Sequence, residues 1–185
     1  MKPIRDDDLS ASASYLDTPR TRASEHAWAL ALAWETAKRS TCLRRHVGAV
    51  LLDGAGHVIA TGYNGAPAGT PHCETCLREE LAVPAGERYE LCRAVHAEAN
   101  ALLQAGRSAR GATIVLATIN PVTGGGLQSN DQAKWPCLMC ARLLINAGVE
   151  AVVVRVVNSR QGFEIDDPRS ILAWRERGLN QGDDP

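Results

Sequence analysis

The sequence predicts a layered α/β domain: one mixed sheet with helices packed against it. Three observations carry that expectation. Short apolar runs at 47–52, 112–117 and 149–157, the first and last nearly continuous, read as buried strands. Longer runs with helical apolar spacing lie between them, and such alternation stacks helices on a sheet. The 185 residues, 45% hydrophobic, suffice for one domain with a sizeable core.

Residues 1–23 hold Asp6-Asp7-Asp8, several Ser and Thr, and Pro19 without apolar periodicity, so a flexible leader is expected before a domain at 24–178. Ser24 can cap a helix from Glu25 to Arg39 whose Trp28, Leu32 and Trp34 lie against the core. The strand Val47–Leu52 turns at Asp53-Gly54-Ala55-Gly56 into His57–Thr61, a hairpin. Its exit, Gly62-Tyr63-Asn64-Gly65-Ala66-Pro67, is dense in turn residues and can lean over a pocket. By spacing alone, Asn64 is better read as holding a left-handed turn than as a ligand contact.

Pro71 to Cys92 is polar and irregular. Cys73-x-x-Cys76 with a distant Cys92 has structural-zinc spacing, with His72 or Cys42 as a fourth ligand; the alternative is reduced, unligated thiols in a flexible loop. A helix from Val95 to Ala105 opens with His96, and a strand crosses back over Ala112–Ala117. Residues 120–134, with Gly124-Gly125-Gly126, form an inserted loop, either a substrate lid or a neutral insertion. Cys137–Ala147 is a helix stopped by Gly148, Val149–Val157 a strand and Pro168–Arg177 a last helix. Residues 179–185 are expected to fray.

The chemistry concentrates in His96-Ala97-Glu98 and Pro136-Cys137-Leu138-Met139-Cys140. Together they make the H-x-E then P-C-x-x-C signature of zinc-dependent nucleobase deamination. Cys137 and Cys140, three apart at a helix start, face the same way, and the helix amino end favours their thiolates. His96 adds a neutral third ligand, leaving the fourth position to water, whose pKa zinc lowers to roughly 7. Glu98 reaches that water from another side and moves its proton to the ring nitrogen and the departing ammonia. The competing reading is a structural zinc site with three Cys and one His, which would not need Glu98.

Net charge is −1 with no Lys/Arg run, which argues against nucleic acid as partner and for a small-molecule nucleotide. The start shows no secretory pattern, no stretch is long and apolar enough for a membrane, and six Cys beside His suit metal binding in the cytoplasm.

These residues resemble the deoxycytidylate (dCMP) deaminases of the cytidine deaminase-like superfamily across roughly 25–157. The motifs are Arg39-Ser40-Thr41-Cys42, Arg44-Arg45-His46-Val47-Gly48-Ala49-Val50, Gly62-Tyr63-Asn64-Gly65, His72-Cys73, Cys92 through Ala101, and Pro136-Cys137-x-x-Cys140-Ala141. The resemblance implies a three-layer cytidine deaminase-like fold and hydrolysis of dCMP to dUMP and ammonia. It also implies substrate contacts at Asn64, Arg44 and Ala97. It further implies a second zinc near Cys73, Cys76 and Cys92, a homo-oligomer (hexamer or dimer), and in many members regulation by dCTP and dTTP with Mg2+. The departures are the 120–134 insertion before Pro136, Val115 where relatives carry Tyr, and a Cys73-to-Cys76 spacing shorter than usual, expected near the pocket or its supporting loop. The alternatives are deamination of a modified cytosine nucleotide, a tRNA adenosine deaminase, or a non-catalytic nucleotide-binding zinc protein.

Overall fold

The computed structural model describes residues 22–84, 88–126, 135–156 and 162–180. Most of the expected leader, residues 127–134 of the inserted loop and the end of the chain lie outside them. The elements run α1 (Glu25–Ala37), β1 (His46–Leu52), β2 (Val58–Tyr63), α2 (Leu77–Glu80), α3 (Ala97–Ala105), β3 (Thr113–Ile119), α4 (Leu138–Ala147), β4 (Ala151–Arg155), β5 (Phe163–Asp166) and α5 (Pro168–Asn180).

The strands form one sheet in the order β2-β1-β3-β4-β5. Only β3 and β4 run parallel; the other neighbours are antiparallel, so the sheet is mixed as expected. Side chains alternate between its faces. Ala49, Leu51, Ile114, Leu116, Val152 and Val154 pack with Ala97 and Ala101 of α3, Ala141 and Leu144 of α4, and Ile171 of α5. Val50, Leu52, Val115, Ala117 and Val153 pack beneath Ala29, Leu30 and Ala33 of α1. Three layers result. Val115 thus lies under α1, on the face away from α3 and α4, which corrects its expected place near the pocket.

The hairpin forms as expected. Asp53 Oδ1 accepts from the amides of Ala55 and His57, both at 2.9 Å, and Gly56 supplies a φ of 81°. At the other end of the fold, Gly148 stops α4 with φ 83°, its amide and that of Val149 closing on Ile145 and Leu144.

Ser24 does cap α1, its hydroxyl accepting from Ala27 N at 3.2 Å. The buried face differs from expectation: Ala29, Leu30, Ala33 and Ala37 make it, Leu32 and Trp34 flank it, and Trp28 is 43% exposed. Gly48 gives the reason. A Cβ there would run into the Ala33 carbonyl and the Ala37 amide, so the helix backbone rests directly on the strand and only small residues fit the seam.

Other boundaries move by a few residues. The strand expected over Val149–Val157 is Ala151–Arg155, and the last helix runs on to Asn180. The region Pro71–Cys92 holds α2 and a 3₁₀ turn at Tyr89–Leu91, and β5 is an edge strand too short to register as a pattern. No described helix is long and apolar enough to cross a membrane.

Candidate active site

Two helix starts meet at the site. His96 is the residue before α3 and Cys137 the residue before α4, both in extended backbone (ψ 154° and 167°), and Cys140 lies in the first turn of α4. His96 is set by its predecessor: Val95 and Gly65 form an antiparallel bridge through bonds of 2.9 and 3.2 Å. Beyond it, Asn100 donates to the Tyr63 carbonyl at 2.8 Å. A Cβ at Gly62 would strike the Ala97 carbonyl and the Ala101 amide, so β2 carries α3 in backbone contact. The opposite wall is fixed from α5, where Arg175 donates to the carbonyls of Pro136 (3.1 Å) and Trp135 (2.8 Å).

His96 Nδ1 stands 3.5 Å from Cys137 Sγ and 3.4 Å from Cys140 Sγ. A tetrahedral ion with Zn–N and Zn–S bonds of about 2.0 and 2.3 Å needs N and S about 3.5 Å apart, so the spacing fits zinc. Both cysteines are buried, and their ligand atoms lie with that of His96 within 4.8 Å of one another.

The charges agree with a site made for a cation. Burial alone would lower the His96 pKa, but hydrogen bonds with Cys137 and Cys92 and the charges of Glu98 and Cys137 raise it to about 11. The Cys137 thiol falls to about 4 through its hydrogen bond with Cys140, against burial and with help from His96. Cys140 is pushed up by the same bond, by burial and by Glu98. Glu98, 6% exposed, has its pKa raised, first by burial, and its carboxyl hydrogen-bonds Cys140. A buried carboxyl against a ligand is placed to trade a proton.

The structure brings together His96, Glu98, Cys137 and Cys140. It does not bring together the other cysteines: among the described residues the His96 group is the only metal-capable cluster. Cys42, Cys73, Cys76 and Cys92 are half-buried free thiols, Cys92 bonded to His96 and His72 Nδ1 3.1 Å from Thr41 Oγ1. Asn64 is buried and braces the start of β1, Nδ2 donating to Arg45 O (2.9 Å) and Oδ1 accepting from Val47 N (2.7 Å). Its φ is not positive, so the left-handed turn is ruled out. Arg44 pairs with Glu79 of α2 at 3.3 Å, and Ala97 is the first, fully buried residue of α3.

Sequence reasoning missed Arg175 and Tyr89, whose ring meets that of His96 at 5.1 Å. No spacing rule links either to the motifs, since both arrive through tertiary contacts. Gly62 and Asn100 sat inside recognised motifs, and their roles emerge only from the packing of α3 on β2.

A three-layer α/β domain holding a His-Cys-Cys pocket at two helix starts, with a buried carboxyl beside it, defines the zinc-binding nucleobase-deaminase class. Residues 23–156 match the cytidine and deoxycytidylate deaminase zinc-binding region, and the chain belongs to that family, whose ion is zinc. It is 36% identical over 143 residues to the deoxycytidylate deaminase of Schizosaccharomyces pombe, covering 76% of this chain but only 40% of the yeast protein. It is 40% identical over 130 residues to the deoxycytidylate deaminase of Mycobacterium phage D29, covering 67% of this chain and 88% of the phage protein. The dCMP deaminase of cyanophage S-TIM5 shares the fold with a TM-score of 0.52 at 22% identity, over 84% of this chain and 94% of that one.

Proposed function

We propose that the protein hydrolyses the exocyclic amino group of dCMP, consuming water and releasing dUMP and ammonia. The observation that carries this reading is the buried Glu98 carboxyl against Cys140, one side chain away from the zinc-spaced His96, Cys137 and Cys140. A structural zinc has no use for a buried acid at that place. The names of the yeast and phage relatives support cytosine deoxynucleotide as the substrate class.

When bound, zinc supplies the Lewis acidity that makes a nucleophile of water near neutral pH. The chain's residues do the rest. Glu98 takes one proton from the attacking water and delivers it to N3 of the ring, then carries that water's second proton to the departing amino group, which leaves as ammonia; its raised pKa suits both transfers. Ala97, in the first turn of α3, carries an amide with no intrahelical acceptor, suited to a base carbonyl. Arg44 would exchange its partly exposed Glu79 partner for the phosphate, which a guanidinium fork grips with paired bonds. Asn64 would act by holding β1 beside the base. A second zinc on Cys73, Cys76 and Cys92 rests on their spacing, since among the described residues only His96, Cys137 and Cys140 form a metal-capable group.

The test is ammonia release from dCMP, CMP, deoxycytidine, dCTP and 5-substituted dCMP. Turnover is expected to be fastest on dCMP. Glu98→Gln should lose about 10³-fold or more while keeping its zinc. Full activity in Glu98→Gln, or no turnover on any of the five, would overturn the reading.

A further inference from the structure

We infer that Tyr89 and Arg78 are positioning residues for His96, forming an aromatic brace that ties the polar region 71–92 to the metal site. The inference rests on His96 as a zinc ligand. His96 makes no side-chain capping bond; hydrogen bonds with Cys137, Cys140 and Cys92 reach its ring, and a ring contact adds to them. Tyr89 meets it edge to face, centroids 5.1 Å apart and planes at 77°, a favoured aromatic geometry.

Tyr89 is in turn held. The Arg78 guanidinium stacks over its ring at 4.4 Å. Arg78 is 7% exposed, spends Nη2 on the Pro84 carbonyl at 3.1 Å, and leaves Nε buried with no hydrogen-bond partner. A buried cation so poorly bonded is costly unless another interaction compensates, and the tyrosine face is that interaction. The backbone carrying Tyr89 is pinned too. Arg88 holds a left-handed φ of 47°, its Nε bonds Glu90 at 2.6 Å, and the amides of Leu91 and Cys92 close on the carbonyls of Arg88 and Tyr89.

Outer groups that orient a metal-bound histidine typically govern metal affinity 10–100-fold. The region 71–92 therefore serves the metal through a ring and a guanidinium. The experiment measures zinc affinity by chelator competition, and the visible spectrum of the cobalt form, for Tyr89→Ala, Tyr89→Phe, Arg78→Met and the native protein. Far-UV circular dichroism and the melting temperature of the zinc-free proteins accompany both.

Tyr89→Ala is expected to bind zinc about 10-fold or more weakly with altered cobalt bands, Arg78→Met to fall between it and native, and Tyr89→Phe to restore both readouts. Native affinity in Tyr89→Ala would overturn the brace, as would a loss in Tyr89→Phe equal to that in Tyr89→Ala. A lowered melting temperature with unchanged zinc affinity would overturn it as well. Because the readout is metal binding, the brace can fail while dCMP turnover stands, and turnover can fail while the brace stands.

Discussion

The chain contains two Cys-x-x-Cys pairs, and among the described residues only one meets a third metal-capable donor. Cys137 and Cys140 begin the ten-residue α4, whose Cys140, Ala141 and Leu144 are buried against the sheet and α3. Cys73 precedes the four-residue α2 altogether and Cys76 merely caps it; Leu77 and Leu81 stay exposed, and Arg78 is the one residue α2 buries. Spacing fixes how far apart two sulfurs are along a helix. Packing decides whether a third donor comes to meet them, and among the described residues the sheet brings His96 to Cys137 and no comparable donor to Cys73.

The sharpest way to break this comparison is to delete one sulfur from each pair. Cys140→Ser should release the ion and abolish turnover, because it removes one of the three side chains spaced to hold the metal. Cys73→Ser should leave the metal count, measured by mass spectrometry, unchanged. One equivalent lost from each variant would show that both pairs bind. Acid should act through the first pair alone. Zinc binding at neutral pH displaces the protons held by Cys140 and His96, both raised in pKa, so affinity falls as pH falls and rises as pH rises.

A smaller effect follows from how the His96 side is carried. Gly62→Ala drives a methyl into the backbone of Ala97 and Ala101, where no side chain can rotate away. Overpacking of this kind costs about 3 kcal/mol, visible as a lower denaturant midpoint, and tilts α3 away from α4. Weakened zinc binding in the surviving folded protein is expected. Unchanged stability would mean that α3 is free to slide on β2, and that backbone contact does not set the metal geometry.

Much of this was legible in the chain. The nearly continuous apolar run Val47–Leu52 and the Gly148 stop could be placed because each is a local pattern with a local cause. His96, Glu98, Cys137 and Cys140 were legible because metal chemistry restricts residue type and spacing together. Trp28 was misplaced because bulk suggested burial, while the seam against Gly48 admits only alanine-sized groups. Spacing makes Asn64 a turn residue, but the structure replaces that turn with a brace to Arg45 and Val47, seventeen or more positions away. Tyr89 and Arg175 reach the site through the fold, and no window on the sequence contains both ends of such a contact.

Arg175 gives the mildest test of what separates the two pairs. The chain enters α4 through Trp135 and Pro136, and the carbonyls of both accept from one guanidinium on α5. Those bonds fix the backbone just before Cys137, whose sulfur meets His96 Nδ1 at 3.5 Å. Arg175→Met keeps most of the stem's packing and removes both donors. Hydrogen bonds from a charged donor contribute about 1.5–3 kcal/mol each, and partial exposure trims that, so a loss of about 2 kcal/mol is expected. If the clamp serves the ligand as well as the fold, zinc affinity falls with stability, and excess zinc raises the melting temperature with the logarithm of its concentration. Stability lost with zinc affinity intact would assign Arg175 to the fold alone and leave the burial of α4 as the sole cause of the difference between the two pairs.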